Sequence, residues 1–382
     1  MPAHRPQLDS IRFFAFFGVF LFHAYRERFA YGEFGVFLFF ALSGFLITRI
    51  LVKHETGRLG HDLRVFYLRR TLRIFPLYYG VLFVLLFFTN KLNDYDTGES
   101  VAWWYFLYLH NVYSFVFEVS TGPTTHFWSL CVEEQFYVLF PLALLLAPKR
   151  HRFALLVSLI VASIATRIAL DALLPARKVG AGALLPVAGE YLLWGALFGL
   201  IDVRLRARPV PTTVLFVLGV VLHGSAVIDQ LNFRLLASTG LEHAYQTLHG
   251  IGFSLIVFSL WRMPDNRLVR LLSVEPLVYL GRISYGLYVY HNFLYGTKNA
   301  LLGPLPWLAP VPEVAVALAA TILLAVLSWH LFEAPINGLK DRIPYGKAEN
   351  RPAPLIGADL ASPDRRTSPN SPGRATESPS PA

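Results

Sequence analysis

Two side chains in the first long apolar stretch, Arg12 and His23, have the types and spacing for proton transfer. Eleven positions on an α-helix make close to three turns, so both project from one face, about 16 Å apart along the axis. Arg12 then marks the inner rim of a membrane helix, and His23 lies near or beyond mid-membrane, where imidazole can accept a proton near neutral pH. A lone histidine is more often structural. What gives this one weight is a second stretch, WSLCVEEQFY from Trp128, which sets Glu133 and Glu134 side by side in apolar surroundings. By helix rise these carboxylates lie about 8–10 Å below the outer end of their helix, close to the depth expected for His23. A carboxylate against an imidazole fixes its tautomer and stabilises the imidazolium, the division of labour used in acyl transfer. Neighbouring helical positions point about 100° apart, so one of the two glutamates faces His23. A structural salt bridge is the alternative.

Further polar groups sit where apolar sequence makes them costly unless paired or functional. In RRTLRIFPLYY, Arg70 and Arg73 are i and i+3 and share a helix face. Two guanidinium forks suit the phosphates of a carrier such as coenzyme A, and equally they are the cations that topology gathers at an inner rim. In FFALSGFLI, Ser43 offers a hydroxyl to a substrate and Gly44 lacks bulk, with close helix packing as the default account. ISYGLYVYHNF brings Ser284, Tyr285, Tyr288 and His291 into one apolar helix, with Tyr288 and His291 on one face toward the outer side. An acceptor site and interfacial anchoring are both open there. Glu333 in WHLFEAP pairs with one of the nearby arginines, and the single Cys131 is a packing residue. No metal and no permanently bound cofactor are expected.

The elements that must carry these groups are membrane helices. The 382 residues are 54% hydrophobic and only 15% charged, too apolar for a soluble globular chain. Ten apolar runs stand out, near residues 11–29, 34–52, 74–89, 127–147, 152–172, 182–201, 210–228, 246–263, 277–297 and 312–333. Basic residues alternate between connections: Lys53, Arg58, Arg64, Arg69, Arg70 and Arg73, then Lys149, Arg150 and Arg152, then Arg204, Arg206 and Arg208, then Arg262, Arg267 and Arg270. Such residues stay on the cytoplasmic side, which puts both termini inside, with Arg177 and Lys178 as the main exception. The net charge of +9 is therefore spread along a membrane rim, and no nucleic-acid partner is implied. Residues 53–73 read as an interfacial helix. The outer segment 90–126, with Trp103, Trp104, Tyr105, Tyr108 and Tyr113, reads as an aromatic belt, with sugar stacking as the second account. From residue 346 the sequence turns rich in Pro and Ser and is expected to be a disordered cytoplasmic tail. The first apolar run is long and has no small-residue cleavage site, so no cleaved leader is expected, and no internal repeat supports transporter symmetry.

Taken in order, LDSIRFF with Arg12 and His23, FFALSGFLI, RRTLRIFPLYY, WSLCVEEQFY, ISYGLYVYH and FEAP resemble the acyltransferase 3 family of integral membrane acyltransferases. The resemblance covers nearly all of the chain before the tail. It implies a ten-helix fold and an acyl-coenzyme A donor arriving from the cytoplasm. The acceptor it implies is a hydroxyl on a glycan, lipid-linked sugar or metabolite, with acetyl the commonest acyl group. By position it also implies that Arg12 and His23 are the essential pair, that Arg70 and Arg73 form a functional basic motif on the donor side, and that Glu133 is the firmer carboxylate before Glu134. The sequence departs from the family in crowding Phe around His23, and the extracytoplasmic esterase-like domain of some members is not expected.

The expectation is thus an all-α polytopic protein of a bacterial-type plasma membrane. Residues 1–345 form the acyltransferase domain, with about ten membrane helices, lipid around it and both termini cytoplasmic. In it His23 is a general base on the acceptor hydroxyl, oriented by Glu133 or Glu134, while Arg12 stabilises developing charge or the donor and Arg70 and Arg73 hold the donor nucleotide. Ser43, Tyr285, Tyr288 and His291 are the substrate-side candidates. An acyl-histidine intermediate is a second version of the same scheme. The rival from another class is a proton-coupled transporter or flippase using the buried His and Glu as a relay.

Overall fold

Helices that carry glycine where they cross can bring their backbones into contact, and two such helices form the centre of this fold. A Cβ added at Gly44 would lie 1.9 Å from the Leu192 carbonyl oxygen, and one at Gly195 would lie 2.0 Å from that of Ala41. Only glycine permits that approach. The expected role of Gly44 in close packing is what the structure shows. Beside the contact, Phe37 and Tyr191 stack with ring centroids 4.2 Å apart.

The computed structural model describes residues 4–25, 29–88, 101–119, 122–174, 180–206, 208–238, 241–295 and 312–345. The expected tail from residue 346, and Arg177 and Lys178, lie outside the described residues. Among the described residues sixteen α-helices follow in order: α1 (Pro6–Ala24), α2 (Phe34–Lys53), α3 (Leu59–Phe88), α4 (Ala102–Phe106), α5 (His110–Phe117), α6 (Phe127–Leu146), α7 (Arg152–Leu173), α8 (Leu185–Leu205), α9 (Thr212–Ile228), α10 (Leu235–Ser238), α11 (Ala244–Arg262), α12 (Arg267–Leu271), α13 (Glu275–Arg282), α14 (Ser284–Tyr290), α15 (Glu313–Ser328) and α16 (Ala334–Gly338). No strand occurs among the described residues.

Seven helices among the described residues are long and apolar enough to cross a membrane: Ala30–Lys53, Leu59–Phe88, Gly122–Leu146, Arg152–Leu173, Leu185–Leu205, Thr212–Leu231 and Glu313–Arg342. They correspond to seven of the ten expected runs. The expected first and eighth spans are α1 and α11, helices of 19 residues that fall outside this set. The expected ninth span is not one helix: it breaks at Ile283 into α13 and α14, and His291 opens a separate 3-10 turn, His291–Phe293. Outward-facing Val214, Val217, Val221, Leu323 and Leu327 give α9 and α15 apolar surfaces suited to lipid.

Two further expectations are corrected. The basic segment read as an interfacial helix is instead the first half of α3, one helix of 30 residues that runs through Pro76. Its length of about 45 Å exceeds the ~30 Å hydrocarbon core, so its basic half can reach the interface without a separate element. The aromatic segment is largely interior: Tyr105, Tyr108 and Tyr113 are buried, Tyr78 and Tyr108 stack at 4.2 Å, and Tyr105 stacks on His110 at the same distance. Trp103 does project outward.

Ionic ties hold α8 at both ends. Asp202 accepts from Arg49 of α2 at 2.5 Å and from Arg262 of α11 at 2.7 Å. Glu190 is fully buried and pairs with Arg167 of α7 at 3.0 Å while accepting from Thr247 of α11 at 2.6 Å. Outside the spans, burial pushes the Glu55 carboxyl up, but two hydrogen bonds from Arg152 at 2.8 and 2.9 Å, with Lys149 nearby, outweigh it and hold Glu55 below its ordinary range.

Candidate active site

The site is built on two levels. The lower is a cavity of about 90 Å³ to which α1 contributes Arg12, α2 Ser43, α3 Arg70 and Arg73, α6 Glu133 and Glu134, and α14 Ser284, Tyr285 and Tyr288. Arg12 is tied to Asp9 one turn earlier at 2.5 Å, and Asp9 also meets His4 at 2.6 Å. Asp9 is fixed in turn by Gly281 of α13, where an added Cβ would lie 1.8 Å from the Asp9 carbonyl oxygen. Ser43 donates to Glu133 Oε1 at 2.7 Å. The Arg70 guanidinium lies over the Tyr137 ring at 5.1 Å, and Tyr285 donates to the Ile74 carbonyl at 3.2 Å beside Pro76. Glu134 Oε1 is buried without a hydrogen-bond partner. Three guanidinium groups thus face two carboxylates in one small space, a setting in which charge interactions are far stronger than in water.

The upper level is a cluster of three histidines. Ring centroids of His23 and His291 are 5.0 Å apart, those of His126 and His291 4.9 Å, and those of His23 and His126 6.5 Å. The tautomers follow from the partners. His291 Nδ1 lies 2.6 Å from the Tyr288 carbonyl oxygen. A carbonyl only accepts, so a neutral His291 carries its proton on Nδ1 and a lone pair on Nε2. That lone pair lies 3.2 Å from His23 Nδ1, which also faces the Val19 carbonyl at 3.0 Å. Both neighbours accept, so neutral His23 is protonated on Nδ1 and its lone pair sits on Nε2, where a general base needs it. His126 fixes the floor of the cluster, with Nδ1 3.0 Å from the Pro123 carbonyl and Nε2 3.2 Å from that of Val289. Among the described residues no group of three or more His, Cys, Asp or Glu is arranged to hold a metal ion.

Tyr288 joins the levels. Its ring lines the lower cavity, its hydroxyl shares a 2.6 Å bond with Ser129 Oγ and donates to the His126 carbonyl at 3.1 Å, and its centroid is 5.4 Å from that of His291.

All the expected residues except His23 and His291 meet in the lower cavity, and those two meet each other. The contact expected between His23 and Glu133 or Glu134 is replaced: His23 bonds His291 and Glu133 bonds Ser43. The reason is depth. Arg12 stands at the level of Glu133, and His23 is one residue from the end of α1, about 16 Å farther along. It reaches the start of α6 beside His126, about 10 Å above Glu133. His126 and Ser129 are site residues that sequence reasoning missed. A histidine two residues before WSL, at the N-cap of α6, is the signal that was available for the first.

Comparison with known proteins gives a consistent picture. A family model described as an acyltransferase domain matches residues 5–330, a span holding every residue of both levels. The chain is 27% identical over 365 residues to the O-acetyltransferase OatA of Staphylococcus aureus, covering 88% of this chain and 58% of that protein. It is 28% identical over 362 residues to the putative peptidoglycan O-acetyltransferase YrhL of Bacillus subtilis, covering 87% and 55%. It is also 28% identical over 361 residues to the peptidoglycan O-acetyltransferase OatA of Listeria monocytogenes, covering 87% and 56%. The chain therefore spans less than two thirds of the length of these relatives. No solved structure matches it. On the extent of the family match and the order of its motifs, this chain belongs to the acyltransferase 3 family.

Proposed function

We propose that this chain is a membrane-embedded O-acyltransferase that moves an acetyl group from a thioester donor, acetyl-coenzyme A, to a glycan hydroxyl. The observation that carries the reading is the pairing of a cationic cavity with a histidine cluster across a single side chain, Tyr288. A space of about 90 Å³ is large enough for a two-carbon acyl group. The relatives' names, O-acetyltransferase and peptidoglycan O-acetyltransferase, support acetyl and a glycan.

In this reading Arg70 and Arg73 hold donor phosphates, Arg12 helps hold the donor in the same cavity, and the thioester extends past Tyr288 to His23. The acceptor reaches half-buried His23 from the outer side. His23 Nε2 takes the proton of the hydroxyl as its oxygen attacks the thioester carbon. The C–O bond forms, the C–S bond breaks, and the thiolate leaves and recovers a proton from the imidazolium. Because Tyr288 stands between the levels, the step requires its ring to swing aside. An acyl-His23 intermediate satisfies the same geometry in two half-reactions. In the membrane, α1, α11 and the broken α13–α14 pair complete ten crossings, both termini are cytoplasmic, and the membrane is the bacterial inner membrane.

The test uses purified protein in lipid nanodiscs with labelled acetyl-coenzyme A and glycan acceptors, read by mass spectrometry for a fixed acetyl addition. His23→Gln is expected to lower the addition by roughly 10²–10⁴-fold. A folded His23→Gln protein that transfers acetyl at the native rate sinks the reading.

A further inference from the structure

A second cavity, of about 550 Å³, opens where the C-terminal ends of α2, α8 and α11 meet the N-terminal end of α1. It shares no lining residue with the Arg12–Glu133 cavity. Its charged lining is Arg5, Arg49, Lys53, Arg206 and Arg262 against one carboxylate, Asp202. Asp202 is already engaged by Arg49 and Arg262. Among the described residues Arg5, Lys53 and Arg206 have no ion-pair partner, and Arg5 Nε is buried without a hydrogen bond.

Cations at a membrane rim are ordinary topology signals when they are scattered. These converge on one cavity, where Arg5, Arg49 and Arg262 are held in place and the exposed Lys53 and Arg206 stand at its rim. Arg49 lies over the Trp261 ring at 3.8 Å, with Arg5 over the same ring at 5.9 Å. Arg262 donates to the Arg206 and Arg208 carbonyls at 3.0 and 2.6 Å. Arg206 itself has φ +52° and ψ −125°, a conformation that costs any residue with a Cβ and persists only where the surroundings impose it. The result is a preorganised concave cluster of guanidinium groups and one ammonium with surplus positive charge, the chemistry that recognises phosphate oxygens.

We propose that this cavity binds the phosphate groups of an anionic ligand, with Arg5, Lys53 and Arg206 as the contacting cations. Two sources carry that chemistry, a nucleotide-bearing cosubstrate and the headgroup of an anionic phospholipid.

The full chain in nanodiscs is titrated with inorganic pyrophosphate and with coenzyme A, and its retention of phosphatidylglycerol over phosphatidylcholine is measured by native mass spectrometry. Two variants are compared with the wild type, Arg5→Gln/Lys53→Gln and Arg206→Gly. The second removes a guanidinium while relieving the backbone, so it folds even if the first does not. Loss of charge-assisted contacts is expected to weaken binding about tenfold or more. A drop in coenzyme A and pyrophosphate affinity identifies the nucleotide source. A loss of phosphatidylglycerol retention with coenzyme A affinity unchanged identifies the lipid. The proposal is overturned if the wild type binds none of the three, or if folded Arg206→Gly binds all of them as the wild type does.

Discussion

His23 Nδ1 and His291 Nε2 lie 3.2 Å apart, a contact that joins the last turn of the first helix to a residue 268 positions later. Because His291 is anchored through Nδ1 on the Tyr288 carbonyl, this contact selects the His23 tautomer with its lone pair on Nε2. Two substitutions separate chemistry from orientation. His23→Gln is expected to lower acetyl transfer by roughly 10²–10⁴-fold, the usual worth of a positioned base. His291→Phe keeps the base and leaves the Val19 carbonyl as the one remaining acceptor on its Nδ1, so the expected loss is smaller, with kcat falling and KM for the acceptor little changed. Steady-state kinetics on both variants check the order.

The Tyr288 hydroxyl makes two hydrogen bonds, to Ser129 Oγ and to the His126 carbonyl. Tyr288→Phe keeps the ring between the cavity and the histidines but releases it. The expected cost in stability is about 1–3 kcal/mol, from the two lost bonds, with Ser129 keeping its own bond to the His126 carbonyl. Transfer should persist, because the ring must move for the acyl group to pass. A Tyr288→Phe protein that is fully stable yet inactive would contradict this account of the side chain.

Glu55 ties the loop after α2 to the start of α7 through Arg152. Its folded-state pKa lies below the ordinary carboxylate value of 4.5, so the pair stabilises the protein fully above about pH 4.5. The contribution is lost as pH falls through the depressed folded-state value. Glu55→Gln is expected to cost about 1–3 kcal/mol at pH 7 and progressively less under acid. Thermal unfolding of both proteins from pH 7 to pH 3 should show the two curves converging.

Much of this was legible in the chain itself, for identifiable reasons. Apolar runs near 20 residues report membrane helices directly, because lipid leaves the backbone no other partners. Gly44 announced a close crossing, and Arg12, Arg70, Arg73, Glu133 and Glu134 announced a polar chamber because apolar sequence tolerates such groups only where they meet. What stayed hidden depended on where helices end. The half-turn break at Ile283 and the uninterrupted course of α3 through Pro76 are settled by packing, and no periodicity marks them. The depth of His23 followed from α1 stopping at Ala24, and the error of about two turns this introduced sent the imidazole to the wrong partner. His126 lies outside any helical pattern, so nothing but its position before WSL distinguishes it from an ordinary loop residue.

The Gly44 crossing yields a direct stability test. Gly44→Ala places a methyl group against the Leu192 carbonyl, backbone that cannot step aside without moving α8. Overpacking of this kind typically costs about 1–3 kcal/mol. Gly182→Ala is the control, since nothing lies within 4 Å of its added Cβ. Unfolding in detergent should separate the pair, with Gly44→Ala lower and Gly182→Ala near the wild type.

The buried Arg167–Glu190 pair tests how much of the fold depends on charge rather than on packing. Glu190 is fully buried, and besides Arg167 it accepts from Thr247 at 2.6 Å and Trp194 at 3.3 Å. Arg167→Met therefore leaves the buried Glu190 side chain with only neutral donors, and the expected cost is about 3–5 kcal/mol. Glu190→Gln strands the guanidinium in the same way. Removing both charges at once also removes the desolvation penalty each charge carried, so Arg167→Met/Glu190→Gln should be less damaging than the two single losses added together. The sign of that coupling is the informative quantity. If the double variant instead loses the sum of the singles, the two groups are held independently by their neighbours, and α7 is fixed to α8 by its apolar contacts alone.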